Sequence, residues 1–440
     1  MTSQKLNWDR VLPIFALTFV DILGLTIILP LLHLYAVAYG ATPAQIGLTL
    51  AVFPLAQLIG VPVMGALSDR FGRKPMLLIS QVTTCISFIM LGAATSLEMV
   101  ILSRLVDGLF GANLATAQAA LSDITTDENR AQGLGLTGAA FGLGFLFGPV
   151  ISLISLEFTD DLSMPAYISA VYSFISILLT LFLFKETLPL SRRVKSLNFS
   201  FKIPSIVTTP RILILLVLMF FQQFIFFGFE SLLGLFTLGR LGMMGQGNAA
   251  LFLFVGIILL MTQLRLIGKW TRKYGERRLV PLALGLISVG LILFSLTPEQ
   301  PHPFYVRTIV ANRIAEQADT SVESVIGDIQ VPLPPDGQNG IGGVIWLFLV
   351  IIPIGIGSGL IRPSINSLLT KTVGQGAYGS VMGYSAAAVS AADALAPIAG
   401  GLIFQHYGVT SPFLLGGLVM GVLMVVSLRA LRPSSQPQNA

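Results

Sequence analysis

The sequence predicts an all-helical integral membrane protein, with twelve transmembrane helices arranged as two six-helix halves, on three observations. Of its 440 residues, 54% are apolar and only 11% charged, with a mean hydropathy of +0.82, values far from those of a water-soluble chain of this length. Apolar runs long enough to cross a bilayer recur along the whole sequence. A basic stretch from Lys185 to Arg211 divides those runs into two equal groups.

The chain opens with polar residues 1–10, including Lys5 and Arg10, followed by an apolar run at 11–33 with no small-residue cleavage pattern. That run therefore reads as a retained first helix, not a signal peptide. Further runs lie at 44–66, 75–94, 99–121, 132–155 and 166–184, then at 212–236, 248–267, 279–297, 341–361, 377–404 and 411–428. Apart from Arg104, Arg240, Arg265, Arg307 and Arg313, all 26 Lys and Arg residues, Arg362 included, fall in loops or tails on one face, which the positive-inside rule makes cytoplasmic. The expected organisation is a first half at 1–184, a cytoplasmic linker at 185–211 and a second half at 212–430, in a cell membrane (inner or plasma membrane) with both termini in the cytoplasm.

One connection departs from the short loops elsewhere. The outer loop at 298–340 carries Glu299, Glu316, Asp319, Glu323, Asp328 and Asp336 against Arg307 and Arg313. Its residues 304–329 suit a surface amphipathic helix, and VPLPPDGQNG at 331–340 suits a turn-rich tether. A lid, a partner site and a tolerated insertion all fit this composition.

Between the second and third runs stands GALSDRFGRK, Gly65 to Lys74, a charged turn between two apolar helices. A glycine at position 65 would let another helix approach closely. Asp69 can pair with a cation or sit at a helix N-terminus. Topological anchoring would account for Arg70, Arg73 and Lys74 but for neither Asp69 nor the glycines Gly65 and Gly72. The pattern resembles the signature loop between helices 2 and 3 of the major facilitator superfamily of secondary transporters. That resemblance implies the superfamily fold and a cytoplasmic gate in which Asp69 and the Arg residues lock the two halves together. Internal repetition agrees with it, because Gly65, Phe71, Gly72 and Lys74 find Gly268, Tyr274, Gly275 and Arg277 at one constant offset, although Arg272 stands where Asp69 would. Pro149 likewise matches Pro397, and Gly135 matches Gly383.

Ionisable groups inside a span are costly and therefore mark function. Asp21 lies near the middle of the first run, where a carboxyl is poised to gain and lose a proton in a working cycle. A permanent pairing with a cation such as Arg104 is the alternative. FVDILGLTIILPLL around it resembles helix 1 of the twelve-helix drug:proton antiporters, tetracycline exporters included. On helix 4, Arg104 and Asp107 share a face at a spacing that lets them neutralise one another. The surrounding SRLVDGLFGANLATAQAALSDIT resembles the family's helix 4 motif, with Arg104, Gly108, Gly111 and Asp123 in place. The resemblance implies that Arg104 belongs to the proton pathway and that Asp123 pairs with the signature loop. Whether Arg104 reaches Asp21 or stays with Asp107 is left open by the sequence.

Helix 5, GLTGAAFGLGFLFGPVISL, carries Gly135, Gly144, Gly148 and Pro149, similar to the family's antiporter signature. Such a helix is thin and kinkable, suited to packing against the other half and sealing a central cavity. Ser152 and Leu153 replace the usual glycine pair after the proline. The polar residues Asn113, Gln222, Gln223 and Asp393 are the candidate lining of the substrate cavity, whereas Glu230 and Arg265 read as side chains snorkelling from helix ends. No helix 8 resembling the histidine-bearing one of tetracycline exporters is present, so tetracycline itself is not the expected substrate.

Other classes find no support. His33, His302 and His406 are scattered, Cys85 has no second cysteine to pair with, and neither metal-ligand spacing nor a phosphate-binding loop occurs. No enzymatic activity, cofactor, metal or nucleic-acid partner is expected, and the pI near 9.4 reflects topology. The expected function is proton-coupled export of a small hydrophobic or amphipathic solute by alternating access, by a monomer working with its substrate, protons and the lipid bilayer. A proton-coupled importer or facilitator of a metabolite, or a non-transporting receptor or assembly factor, are the alternatives.

Overall fold

In a computed structural model of the chain, residues 8–125, 130–159, 161–193, 209–317, 333–372 and 378–431 are described. Twelve helical spans in them are long and apolar enough to cross a membrane. Span 1 comprises α1 (Trp8–Ile28) and α2 (Leu32–Ala38), span 2 is α3 (Pro43–Phe71), and span 3 is α4 (Arg73–Gly92). Span 4 comprises α5 (Leu97–Phe110) and α6 (Asn113–Ile124), followed by α7 (Arg130–Phe158) as span 5 and α8 (Ser163–Phe182) as span 6. In the second half α9 (Pro210–Leu241) is span 7, α10 (Gly245–Met261) and α11 (Ile267–Tyr274) make span 8, and α12 (Glu276–Ser295) is span 9. After α13 (Arg307–Gln317), spans 10, 11 and 12 are α14 (Gly342–Thr372), α15 (Tyr378–Tyr407) and α16 (Ser411–Ala430).

Local chemistry explains the breaks. Pro30 lacks an N–H and stops α1, after which the chain restarts as α2. Thr42 and Gln45 form a reciprocal capping box that starts α3, with Pro43 at its first position. Span 4 is interrupted at Gly111, where the Asp107 carbonyl leaves no room for a Cβ. Span 8 contains a π-helical turn, Thr262–Leu266, between α10 and α11. Span 10 runs well past the expected boundary at 361: Arg362 and Pro363 lie inside α14, so Arg362 belongs to a span and not to a basic loop.

The packing has an internal twofold logic. Span 1 packs on span 5 as span 7 packs on span 11, and span 3 packs on span 6 as span 9 packs on span 12. The halves meet where span 2 lies against span 11 and span 5 against span 8, two pairings that the same exchange of halves interconverts. The second half is consolidated by Phe229, Phe236, Phe294 and Phe413, whose ring centroids lie 4.4–6.3 Å apart.

The long connection after span 9 folds down instead of lying free. Its helix α13 buries Val310, Ala311, Ile314 and Ala315 and packs on α2 of the first half, which replaces the surface amphipathic helix expected over 304–329. Residues 318–332 of that expected segment and tether lie outside the described residues. Tyr305 seats its ring on Gly242, where a Cβ would come within 2.0 Å, and donates through its hydroxyl to the Pro334 carbonyl at 2.7 Å.

Candidate functional site

Two ends of the bundle can be told apart by composition: one bears the basic turns, the other the long acidic connection. At the basic end the Gly65–Lys74 turn is built by cross-bracing. Gly72 ends α3 and starts α4 at φ +107°, and a Cβ there would meet Glu186 Oε2 at 2.4 Å and Arg193 Nη2 at 2.6 Å. The Glu186 carboxylate accepts from the Arg73 and Lys74 backbone N–H groups at 2.9 and 3.1 Å, capping the positive end of α4. Arg73 donates to Asp69 at 2.6 Å, to Ser68 at 3.0 Å and to Asp123 at 2.9 Å. Lys74 donates to the Leu181 carbonyl at 2.8 Å, while Arg70 is exposed and stacks on Phe71 with its guanidinium 5.3 Å from the ring centroid.

In this conformation the turn differs from expectation in two respects. These partners come from the first half and, with Glu186 and Arg193, from the start of the linker, so in this conformation the cluster makes no contact with the second half. Nor does Gly65 receive a close helix, since a Cβ there would have nothing within 4 Å. The close approach falls at Gly60, where a Cβ would come within 2.3 Å of the Leu109 carbonyl. Glu186 is the functional residue that sequence reasoning missed here. Its signal is a lone acid directly after span 6, facing a basic turn.

At the opposite end the halves are sealed. A Cβ on Gly47 of span 2 would lie 2.2 Å from the Pro397 carbonyl of span 11, and one on Gly401 would lie 2.5 Å from the Pro43 carbonyl. His33 of span 1 lies over Gly234 of span 7 and shares a 3.1 Å hydrogen bond with Asn248 of span 8, which accepts from Thr237 at 2.5 Å. Ala44 donates to Gln405 at 3.1 Å and Gln246 to Glu157 at 3.3 Å. Among the described residues every hydrogen bond between the halves lies at this end. At the basic end Gly65, Gly268, Gly275 and Gly383 all face open space.

Inside the first half, the question about Arg104 is answered. Its Nη1 lies 3.4 Å from Asp107, Nη2 donates to Ser87 at 2.9 Å, and the guanidinium covers the Phe88 ring at 5.3 Å. Asp107 also accepts from Thr84 at 2.8 Å. Both charges are nearly fully buried, so this is a closed pair within span 4, braced by Thr84 and Ser87 of span 3. Asp21 stands apart from it, and both its carboxylate oxygens are buried without a hydrogen bond. Gln81 and Ser176 stand beside the Asp21 carboxyl; Gln81 also donates to Ser176 at 2.8 Å and Ser176 to the Leu17 carbonyl at 3.4 Å.

The glycines of span 5 divide their work. Gly144 and Gly148 face Ile22 and Thr26 of span 1, and Thr26 donates to the Gly144 carbonyl at 2.9 Å, so these two pack within their own half and not against the other. The approach to the other half is made by Gly256 of span 8, where a Cβ would lie 2.7 Å from the Phe145 carbonyl. Pro149 sits inside α7, and Gly135 lies in its first turns.

In the second half, Gln223 donates to Asp393 at 2.7 Å, bringing together two of the four expected cavity residues. Asn113 and Gln222 are buried elsewhere, each with an unpartnered carbonyl oxygen. Glu230, expected to snorkel, is only 8% exposed and lies within electrostatic reach of Asp393, because α9 extends to Leu241 and places it well inside the span. Arg362 is also within reach of Asp393, another group that the sequence boundary had placed outside.

The family model described as Major Facilitator Superfamily matches residues 14–311 and 339–440. The chain belongs to this superfamily. Among curated relatives, Multidrug resistance protein 2 of Bacillus subtilis is 25% identical over 430 residues, covering 95% of this chain and 94% of its own length. Tetracycline resistance protein, class B, of Escherichia coli is 30% identical over 301 residues, covering 63% of this chain and 73% of its own. Of solved structures, the nucleoside transporter NupG superposes with a TM-score of 0.70 at 16% identity, covering 97% of this chain and 100% of NupG. The human organic anion transporter MFSD10 gives 0.64 at 20% identity, covering 98% and 100%. This major facilitator is thus a membrane transporter of small-molecule substrates and not an enzyme.

Proposed function

We propose that this transporter exports a small hydrophobic or amphipathic solute in exchange for protons, by alternating access, with its basic end in the cytoplasm. The observation that carries this reading is the asymmetry between the ends: halves in close backbone contact at one end, against open space at Gly65, Gly268, Gly275 and Gly383 at the other. A cavity open to the cytoplasm is the state in which an exporter loads. The basic loops support the sidedness, and likeness to multidrug and tetracycline resistance proteins supports the direction and the solute class.

Asp21 is the proposed proton carrier. A carboxylate with no cation beside it is costly in a bundle interior, so loss of its proton must accompany a rearrangement that supplies water or a stronger set of donors. Gln81 and Ser176, at hand but engaged with each other, are the groups such a rearrangement would redirect. The closed Arg104–Asp107 pair would then be the fixed point against which span 1 moves. Protons moving inward supply about 2.3 kcal/mol per charge per 100 mV of membrane potential, besides the pH gradient.

Reconstitution in liposomes with an imposed pH gradient tests this. Substrate-dependent proton movement is expected in the wild type and is expected to vanish in Asp21→Asn. Solute flux without proton movement, equal in both proteins, would instead make this a facilitator.

A further inference from the structure

Arg362 is the odd charge of the interior. It lies inside α14, roughly 15 Å from the helix end at helical rise. Its side of α14 faces the interior, not lipid. One and two turns away on that side, Gly359 and Gly355 pack on Thr262 and Ile258 of span 8, with Cβ distances of 2.9 and 2.7 Å. One turn towards the basic end, Asn366 accepts from Ser385 of span 11 at 3.3 Å. The exposed apolar residues of the same helix, Ile345, Leu349 and Ile352, lie on another side of it. Arg362 is exposed in spite of this interior position.

It is also unpaired. Among the described residues no carboxylate lies within ion-pair distance of it, and it makes no hydrogen bond. Asp393 is within electrostatic reach but is bound by Gln223. The other interior arginine, Arg104, shows the contrast, since it is closed off by Asp107 and Ser87. A guanidinium deep in a span, exposed and with its planar set of donors unspent, is built to receive a carboxylate in a two-point pair.

We propose that Arg362 anchors the substrate site and that the site takes amphipathic organic anions, carboxylates above all. The proposal rests on the transport reading above and adds the charge of the substrate. Asp393 is the internal counter-charge, which lowers anion affinity while it is ionised, and Glu230 lies beyond it as a second acid.

Binding to purified protein in lipid nanodiscs, with no gradient imposed, tests this independently of coupling. The probes are 2-naphthoate, its neutral isostere 2-naphthamide and the cation 2-naphthylmethylammonium. Wild type is expected to bind naphthoate at least about tenfold more tightly than the amide or the ammonium. Arg362→Gln should erase that preference, with a thermal unfolding midpoint close to the wild type's showing separately that the variant is folded. Arg362→Lys should retain part of the preference, and Asp393→Asn should strengthen naphthoate binding. No naphthoate binding at millimolar concentration, an ammonium preference in the wild type, or an anion preference that survives in Arg362→Gln would each overturn the proposal. Failure of the transport reading would show separately, as absent solute-dependent proton movement in the liposome assay.

Discussion

Glu186 and Gly72 show how one turn can be held together by two residues of opposite demands. Glu186 needs to reach the first N–H groups of α4, and Gly72 must lack a side chain for it to do so. Gly72→Ala is expected to destabilise the protein by about 1–3 kcal/mol, combining a positive φ with a clash against Glu186 and Arg193. Thermal unfolding in detergent should show this as a lowered midpoint. Glu186→Gln keeps the acceptor oxygen but loses the charge, so a smaller loss of about 0.5–1 kcal/mol is expected. The turn was legible because its charges are conspicuous in apolar surroundings. Glu186 was not, since nothing in a lone acid tells which helix terminus it will cap. Arg362 and Glu230 were misplaced for a related reason: hydropathy drops at charged residues, so a charge that the fold keeps inside a span reads as the end of that span.

At the scale of elements, sequence reading recovered all twelve spans, because a bilayer demands about 20 apolar residues from each. It did not recover interruptions within them, at Pro30, Gly111 and the π-turn Thr262–Leu266, which leave mean hydropathy unchanged. Nor did it foresee that the acidic connection after span 9 docks onto the first half. That docking makes a pH prediction. Burial lowers the pKa of His302, so its neutral form is favoured in the docked insert. The resulting stabilisation is complete above the unfolded value of about 6.5 and declines as the pH falls from there towards the depressed value. Protection factors over α13, which correct for the intrinsic exchange rate at each pH, should therefore fall on acidification below about pH 6.5, less so in His302→Gln. The seal between spans 2 and 11 makes a second prediction. Gly401→Val puts a Cβ and two further carbons where the Pro43 carbonyl already excludes a Cβ, and is expected to lower the population of the sealed conformation.

The whole molecule is a pair of six-helix bundles joined at one end. The twofold exchange of span pairings means that the same surfaces which close one end can, after rocking, close the other. In such a change the turn at Gly65, now open, is the place for a helix of the second half to arrive. Asp69, held by Arg73 and half exposed, is the acid that would meet it. The long connection works against the change, because α13 bridges from the second half to α2 at the sealed end.

Spin-label distances across both ends, followed against pH, test alternating access coupled to Asp21 most directly. Labels at Gly65→Cys and Gly383→Cys report the basic end, and a second pair on spans 2 and 11 beside Ala44 and Gln405 reports the sealed end. A proton-driven exchanger is expected to shorten the first distance as it lengthens the second when the pH changes, with Asp21→Asn holding both fixed. Distances that respond equally to pH in the wild type and in Asp21→Asn, or two ends that move independently, would contradict the account.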